Sequence, residues 1–185
     1  MGIFDFFRPK NPILNNASFP HIVEKLTVEL GAIREQFVFG GISGLKSEGA
    51  PVRDISPLLE KGSELDSALK AFQLTCVIGF AWNYIHFSDQ LKFDQELTQR
   101  LDDGDAIRVK EYRERYLDCE GDIDSLCAKI AEDVYRIWGN PEPSQRFKKA
   151  LINAAAPLGI VSQAATARIC GDLKTEKKLK KKLRI

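Results

Sequence analysis

The sequence predicts an all-α protein: a single-domain bundle of five to six helices, with two central uncharged helices. Residues 71–88 and 150–167 carry no charged side chain, although 29% of the 185 residues are charged. A helix that faces water on one side needs a polar face, so a helix without charges is expected to be buried on nearly every side. Elsewhere, apolar residues recur every three or four positions, which is the spacing of one helix face.

The length and composition predict one globular domain. A chain of 185 residues, 44% of them hydrophobic, is long enough to bury a substantial core. The formal net charge of +1 argues against a generally basic nucleic-acid binder. The four cysteines lack the spacing of a metal or redox motif and are predicted to be reduced thiols: Cys76, Cys119, Cys127 and Cys170.

The sequence predicts a cytoplasmic protein and leaves a peripheral membrane location open. The first residues lack the order of a signal peptide, because apolar residues precede the first positive charge. Both uncharged segments contain polar residues, and a bilayer span takes about 20 predominantly apolar residues. No transmembrane segment is therefore predicted.

The first helix is predicted between Ser18, its N-cap, and a stop at Gly40 and Gly41. Its apolar stripe consists of Ile22, Leu26, Leu30, Ile33 and Phe37. Residues 40–62 contain five glycines and two prolines, so they are predicted to form a long loop.

A long helical region is predicted next, over residues 64–101. The first uncharged segment lies in its first half, and Gly79 or the pair Ser88–Asp89 is expected to kink or divide it. A short, highly charged helix follows, lined by Val109, Tyr112 and Tyr116.

The next helix has the most regular stripe in the chain. Asp122 is its predicted cap, and residues 139–141 are its predicted stop. The stripe consists of Ile123, Leu126, Ile130, Val134 and Ile137.

The last main helix is predicted from about Ser144 to about Gly171, with a bend at Pro157. Its small residues Ala154, Ala155 and Ala156 predict close contact with a neighbouring helix. The domain is assigned to residues 1–172, with a short N-terminal arm over residues 1–17. Residues 173–185 are assigned to a basic C-terminal tail, either a helical extension or a solvated end.

The sequence contains no complete catalytic or metal-binding motif. Residues 40–47 have the glycines of a phosphate-binding loop without its Gly-Lys-Ser/Thr order. Residues 118–124 have the carboxylates of a calcium loop without the required glycine and glutamate positions. No catalytic residue, cofactor or metal is predicted. Whether the protein is an enzyme stays open, with a non-enzymatic role favoured.

The first hypothesis for function is a protein-interaction module, an adaptor or inhibitor whose partner is another protein. Residues 94–133 carry thirteen acidic and six basic side chains. This imbalance predicts an acidic face that attracts a basic partner. The residues predicted to form the face are Asp102, Asp103, Asp105, Glu111, Glu114, Asp118 and Glu120.

The second hypothesis is a protein that binds an anionic surface, either a membrane or RNA. Residues 174–185 carry seven basic side chains and one acidic side chain. The start of the chain adds Ile3, Phe4, Phe6 and Phe7, and two weak anchors bind far better than one. The predicted contacts of the tail are Lys174, Lys177, Lys178, Lys180, Lys181, Lys182 and Arg184.

The third hypothesis is a small-molecule binder or enzyme with a pocket between helices 71–88 and 150–167. The predicted pocket residues are Trp82, Asn83 and His86, because histidine can serve as a base or a ligand there. The sequence does not decide among the three hypotheses, and it identifies neither the partner nor the oligomeric state.

Overall fold

The computed structural model describes residues 14–47, 62–119, 123–138 and 145–183. Within these ranges the chain forms seven α-helices and no strand, which confirms the predicted all-α class with slightly more helices than expected. The helices are α1 (Phe19–Ser47), α2 (Gly62–Ala81), α3 (Phe87–Thr98), α4 (Asp103–Asp118), α5 (Ile123–Trp138), α6 (Gln145–Ile169) and α7 (Leu173–Lys182). Two 3-10 turns, Asn16–Ser18 and Trp82–Tyr84, lie before α1 and after α2.

The two uncharged segments lie at the centre of the bundle, as predicted. The first supplies most of α2, which packs against α1, α4, α5 and α6. The second lies within α6, which packs against α1, α2, α5 and α7. Every residue of α2 from Ala71 to Ile78 is buried. A helix with neighbours on all sides has no face that water must solvate, which explains the absence of charges.

The two central helices contact each other closely, as predicted. A methyl group added at Gly159 of α6 would lie 3.3 Å from Cys76 Sγ of α2. Gln73 Nε2 of α2 donates a hydrogen bond to Ser162 Oγ of α6 (3.1 Å), and Gln73 Oε1 accepts one from Arg34 of α1 (3.0 Å). These bonds satisfy a fully buried amide, so Gln73 joins three helices without the cost of an unpaired polar group.

The helical region predicted over residues 64–101 is two helices, separated by residues 82–86. The division falls between the two positions predicted for a kink. Asn83 Nδ2 donates to the Phe80 carbonyl (2.9 Å), a side-chain bond that competes with continued helix. Ile85 then takes an extended backbone (φ −126°, ψ 137°) with its side chain fully buried. Burial of Ile85 therefore favours a break that the spacing of apolar residues alone does not reveal.

The stop predicted at Gly40 and Gly41 is wrong, because α1 continues to Ser47. Glycine costs a helix about 1 kcal/mol relative to alanine but is compatible with α-helical backbone. It ends a helix reliably only where the backbone must turn left-handed. The first residues of the predicted loop 40–62 are therefore helical, and residues 48–61 lie outside the described residues.

Helices α4, α5 and α6 follow the predicted pattern. The stripe residues Leu126, Ile130, Val134 and Ile137 of α5 are buried. The predicted cap Asp122, the predicted stop at residues 139–141 and Ser144 lie outside the described residues, directly beside the ends of these helices. Pro157 lies within α6, and the bend expected there stays a prediction.

Both predicted terminal segments take part in packing. Leu14 is buried, and Asn15 Oδ1 accepts a hydrogen bond from the Ser18 backbone (3.2 Å), so the described end of the arm is ordered by its own cap. Ser18 thus closes the turn that precedes α1 rather than capping α1 itself. The predicted tail forms α7, which packs on α6 and buries Leu179. Residues 1–13, Arg184 and Ile185 lie outside the described residues.

Candidate functional site

The corner between α6 and α7 fixes the direction of the lysine-rich helix. Gly171 has φ +84°, a left-handed conformation that glycine adopts without strain. Its N–H donates to the Arg168 carbonyl (3.0 Å), and the Asp172 N–H donates to the Ala167 carbonyl (2.8 Å). This pair of bonds closes α6 with a Schellman motif, which satisfies carbonyls that the helix end leaves free.

Asp172 then caps the start of α7 and ties it to the 3-10 turn that follows α2. Its Oδ1 accepts a hydrogen bond from the Thr175 backbone N–H (2.9 Å), an N-cap that lowers the pKa of Asp172. Its Oδ2 accepts a hydrogen bond from the buried Tyr84 hydroxyl (3.1 Å). Burial, followed by the Asp172 charge, raises the pKa of Tyr84, so the phenol keeps the proton that it donates.

Six of the ten residues of α7 are lysines, and all six are exposed. Lys180 pairs with Glu176 one turn earlier (Nζ–Oε1 2.7 Å). Glu176 is itself buried, and its carboxylate also lies 4.0 Å from Arg168 Nε. The other five lysines have no acidic partner within the described ranges and form what we call the lysine face: Lys174, Lys177, Lys178, Lys181 and Lys182.

The opposite side of α7 is packed and buries Leu179 together with the paired carboxylate of Glu176. Leu179 is 8% exposed. Leu173, by contrast, is 56% exposed at the first position of the helix. The structure thus brings the predicted tail lysines together on an ordered helix, apart from Arg184, which lies beyond the described residues.

The first described residue lies beside the same corner. The Leu14 N–H donates to the Tyr84 carbonyl (3.2 Å), while the Tyr84 hydroxyl holds Asp172. One tyrosine therefore links the end of the N-terminal arm to the start of the lysine helix. Sequence reasoning missed this juxtaposition, because the three segments are far apart in the chain.

The predicted acidic face is smaller than expected. Asp105 does not belong to it, because it is buried and accepts hydrogen bonds from Ser67 and Lys70 of α2. Burial alone would raise the pKa of Asp105, but these two bonds outweigh burial and hold it below its ordinary value. Asp102 is exposed and caps α4 by accepting from the Asp105 N–H (2.8 Å).

Four of the predicted acidic residues remain exposed on one side of α4. We call them the acidic row: Asp103, Glu111, Glu114 and Asp118. Successive members are eight, three and four residues apart, a spacing that places them along one face of the helix. Exposed Lys110 and Arg115 lie beside this row, and Lys110 Nζ is 4.0 Å from Glu114. Glu120, the seventh predicted residue, lies outside the described residues.

Two further carboxylates of the 94–133 segment are also buried in internal networks. Asp94 accepts hydrogen bonds from Trp82 Nε1 (3.0 Å) and from Arg113 (2.8 Å), and the Arg113 guanidinium stacks on the Trp82 ring at 5.8 Å. Burial raises the pKa of Asp94, against the lowering effect of both partners. This network connects the turn after α2 to α3 and α4.

Asp133 plays a similar role between α4 and α5. Its Oδ2 accepts the Tyr112 hydroxyl hydrogen bond (2.8 Å), and its Oδ1 lies 3.2 Å from both Lys129 Nζ and Arg136. Three acidic side chains of this segment, Asp94, Asp105 and Asp133, therefore serve packing between helices.

The predicted pocket residues lie at the surface rather than in an interior pocket. Asn83 and His86 are exposed. Trp82 is half-buried and donates to Asp94, and Asn83 donates to the Phe80 carbonyl. His86 precedes α3 as its N-cap, with no side-chain hydrogen bond to that helix.

The cysteines are placed for packing rather than for reaction. Cys76, Cys127 and Cys170 are buried, and Cys119 is half-buried. Burial raises the pKa of Cys170 to about 12 and raises that of Cys76 further, so both remain thiols. Across the described ranges, no cluster of three His, Cys, Asp or Glu side chains has metal-binding geometry. Among the same residues, no helix combines the length and apolar character needed to cross a bilayer.

Comparison with known proteins gives no relative for this chain. No protein-family model matches it, and neither a curated protein nor a solved structure does.

Proposed function

We propose that this protein binds anionic membrane surfaces peripherally, through the lysine face of α7. The observation that carries the proposal is the set of five exposed lysines that have no acidic partner among the described residues, on a helix whose other side is packed. The helix also has a fixed start at Gly171 and Asp172. Because the backbone of α7 is already helical and packed, binding does not have to fold this segment, so less of the attraction to anionic lipid is spent on ordering the chain.

A membrane fits this surface better than RNA does. The basic residues of α7 are all lysines, which act as point charges, whereas nucleic-acid recognition favours the planar, stacking guanidinium of arginine. Apolar residues accompany the charges: exposed Leu173 at the start of α7, and Ile3, Phe4, Phe6 and Phe7 in the sequence of the N-terminal arm. The described end of that arm lies beside Tyr84, next to α7. Stable peripheral attachment takes two such signals together.

The test is co-sedimentation with vesicles of phosphatidylcholine, with and without phosphatidylserine. The wild-type protein should bind only the vesicles with phosphatidylserine, and added salt should weaken binding. Each lysine near such a surface contributes about 1 kcal/mol. The double variant Lys177→Gln and Lys178→Gln should therefore bind about 2 kcal/mol more weakly, which is roughly thirtyfold.

A matched control removes two positive charges from a different helix. Lys110→Gln with Arg115→Gln takes two exposed basic residues from α4 and should leave vesicle binding close to wild type. Equal losses in both double variants would mean that net charge, not the lysine face, drives binding. Binding to single-stranded RNA without binding to vesicles would replace the membrane with RNA as the partner.

We propose a protein partner for the acidic row as a second candidate function. The observation in its favour is that four carboxylates stay exposed on one face of α4 after the buried ones are set aside. The row is less one-sided in charge than the lysine face, since Lys110 and Arg115 lie beside it. For this reason we rank this candidate second.

Affinity capture followed by mass spectrometry tests the second candidate. Reversal of charge in the variant Glu111→Lys, Glu114→Lys and Asp118→Lys should remove a basic protein that the wild type captures. Salt should slow the association of that protein with the wild type. An unchanged set of captured proteins at low salt would remove the acidic row from consideration.

A further inference from the structure

We propose that Phe87 and Leu173 are the apolar anchors that enter the bilayer beneath the headgroups that the lysine face contacts. This inference rests on the proposed membrane function and adds the part of the surface that penetrates. Phe87 is 66% exposed and Leu173 is 56% exposed, although both are large apolar side chains at helix starts. Leu91 is 68% exposed and lies one turn after Phe87, so it extends the same face of α3.

The Tyr84–Asp172 hydrogen bond joins the two segments of the chain that carry the anchors. Phe87 follows Tyr84 by three residues, and Leu173 follows Asp172 directly. Tyr84 is buried and contacts the Phe80 ring edge-on (centroids 5.7 Å apart), so the corner has a rigid base.

Both helices that carry the anchors are fixed by their own packing. On α3, Phe93 is fully buried and contacts the Phe19 ring of α1 edge-on at 5.4 Å. On α7, Leu179 is buried. Phe87 and Leu173 therefore project from ordered helices and stay exposed without collapsing onto the core.

An anionic bilayer is the occupant that matches both parts of this corner. Lys174 and Lys177 follow Leu173 on α7 and are attracted to negative charge, whereas Phe87 and Leu173 are stabilised by burial in an apolar medium. A bilayer supplies anionic headgroups directly above hydrocarbon. Two carboxylates adjoin the anchors in the chain. Asp89 is half-buried and lies 3.9 Å from Lys92 Nζ, and Asp172 is half-buried and accepts hydrogen bonds from the Tyr84 hydroxyl and the Thr175 N–H, so the repulsion of the headgroups by each is partly offset.

The first measurement compares two double variants that leave every charge in place. Phe87→Ser with Leu173→Ser should weaken binding to phosphatidylserine vesicles by about tenfold or more, because affinity scales with buried apolar area. The dependence on salt should persist, since the lysine face is intact. Ile107→Ser with Leu117→Ser removes two side chains that are 63% and 62% exposed on α4 and should leave binding unchanged.

The second measurement reports penetration directly. Phe87→Trp should add fluorescence that vesicles containing brominated lipid quench, whereas Ile107→Trp should add fluorescence that they do not quench. Quenching at position 87 alone supports insertion of this corner. Equal quenching at both positions, or none at position 87, overturns it.

The outcomes separate this inference from the proposed function. If the wild type binds phosphatidylserine vesicles and the Lys177/Lys178 variant does not, while the Phe87/Leu173 variant binds like wild type, the anchors are refuted and the lysine face stands. If the wild type ignores the vesicles, both proposals fail. Circular dichroism of each variant confirms that a loss of binding is not a loss of fold.

Discussion

Asp103 and Asp105 stand two residues apart in the first turn of α4, yet their surroundings are opposite. Asp103 is exposed, whereas Asp105 is buried and bonded to Ser67 and Lys70 of α2. The sequence predicted both for one acidic face. Which of the two is buried depends on the side of α4 that α2 covers. A count of charges along the chain does not show which side that is.

These two residues should therefore respond differently to the same substitution. Asp105→Ala should lower the free energy of unfolding by about 1–3 kcal/mol, because it leaves the Lys70 ammonium and the Ser67 hydroxyl without their partner. Asp103→Ala should stay within about 0.5 kcal/mol of wild type, as is usual for exposed sites. Urea denaturation of both variants measures the difference. Equal effects would contradict the internal role of Asp105.

Gly171 permits a second prediction at the residue scale. Its φ of +84° is unfavourable for a side chain, while a methyl group there would meet nothing within 4 Å. Gly171→Ala should therefore cost about 1–2 kcal/mol through backbone strain alone. Gly171→Asn should cost less, because asparagine tolerates this conformation. Denaturant midpoints that are equal for the two variants would argue against a left-handed corner.

At the scale of helices, the sequence predicts burial better than it predicts boundaries. The central positions of α2 and α6 follow from their missing charges, since a helix with several packed neighbours has little surface that water must solvate. Burial is complete from Ala71 to Ile78 of α2, whereas Pro157 of α6 is exposed. The break at residues 82–86 depends on tertiary packing, such as the burial of Ile85. The helix α1 continues past Gly40 and Gly41 because glycine alone does not end a helix. The docking of α7 likewise depends on Tyr84, which is 88 residues from Asp172 in the chain.

The contact between α2 and α6 gives a prediction with an internal control. A methyl group at Gly159 would lie 3.3 Å from Cys76 Sγ and 3.4 Å from Phe72 Cζ, whereas one at Gly31 of α1 would meet nothing within 4 Å. Gly31→Ala should raise the free energy of unfolding by about 0.5–1 kcal/mol through helix propensity.

At Gly159 the same gain in propensity is opposed by crowding of the two central helices. Gly159→Ala should give no net gain, and Gly159→Val should lower the free energy of unfolding by about 1–3 kcal/mol. Thermal or denaturant unfolding measures all three variants. A stabilising effect of Gly159→Ala equal to that of Gly31→Ala would show that α2 and α6 have room between them.

Over the whole molecule, the net charge of +1 conceals two surfaces of opposite sign. The sequence shows that charges are sorted along the chain, and the structure leaves the lysines of α7 and the four carboxylates of the acidic row exposed. The sequence does not show that Asp94, Asp105 and Asp133 are buried in internal networks, because each of these carboxylates has a hydrogen-bond partner on another helix. These networks remove acidic residues from the surface, so the lysine face becomes the stronger of the two candidate binding surfaces.

A chain that ends at Asp172 tests the role of α7 in the whole molecule. It keeps both central helices and the Gly171 corner, so it should remain folded. It loses the burial of Leu179, which should lower the free energy of unfolding by about 1.5–3 kcal/mol. It also loses every lysine of α7, so it should no longer bind phosphatidylserine vesicles.

The Lys177→Gln and Lys178→Gln variant should lose most binding at wild-type stability, because both residues are exposed. An unfolded truncated chain would place α7 in the essential core, and a truncated chain that binds vesicles as wild type does would exclude the lysine face as the membrane contact.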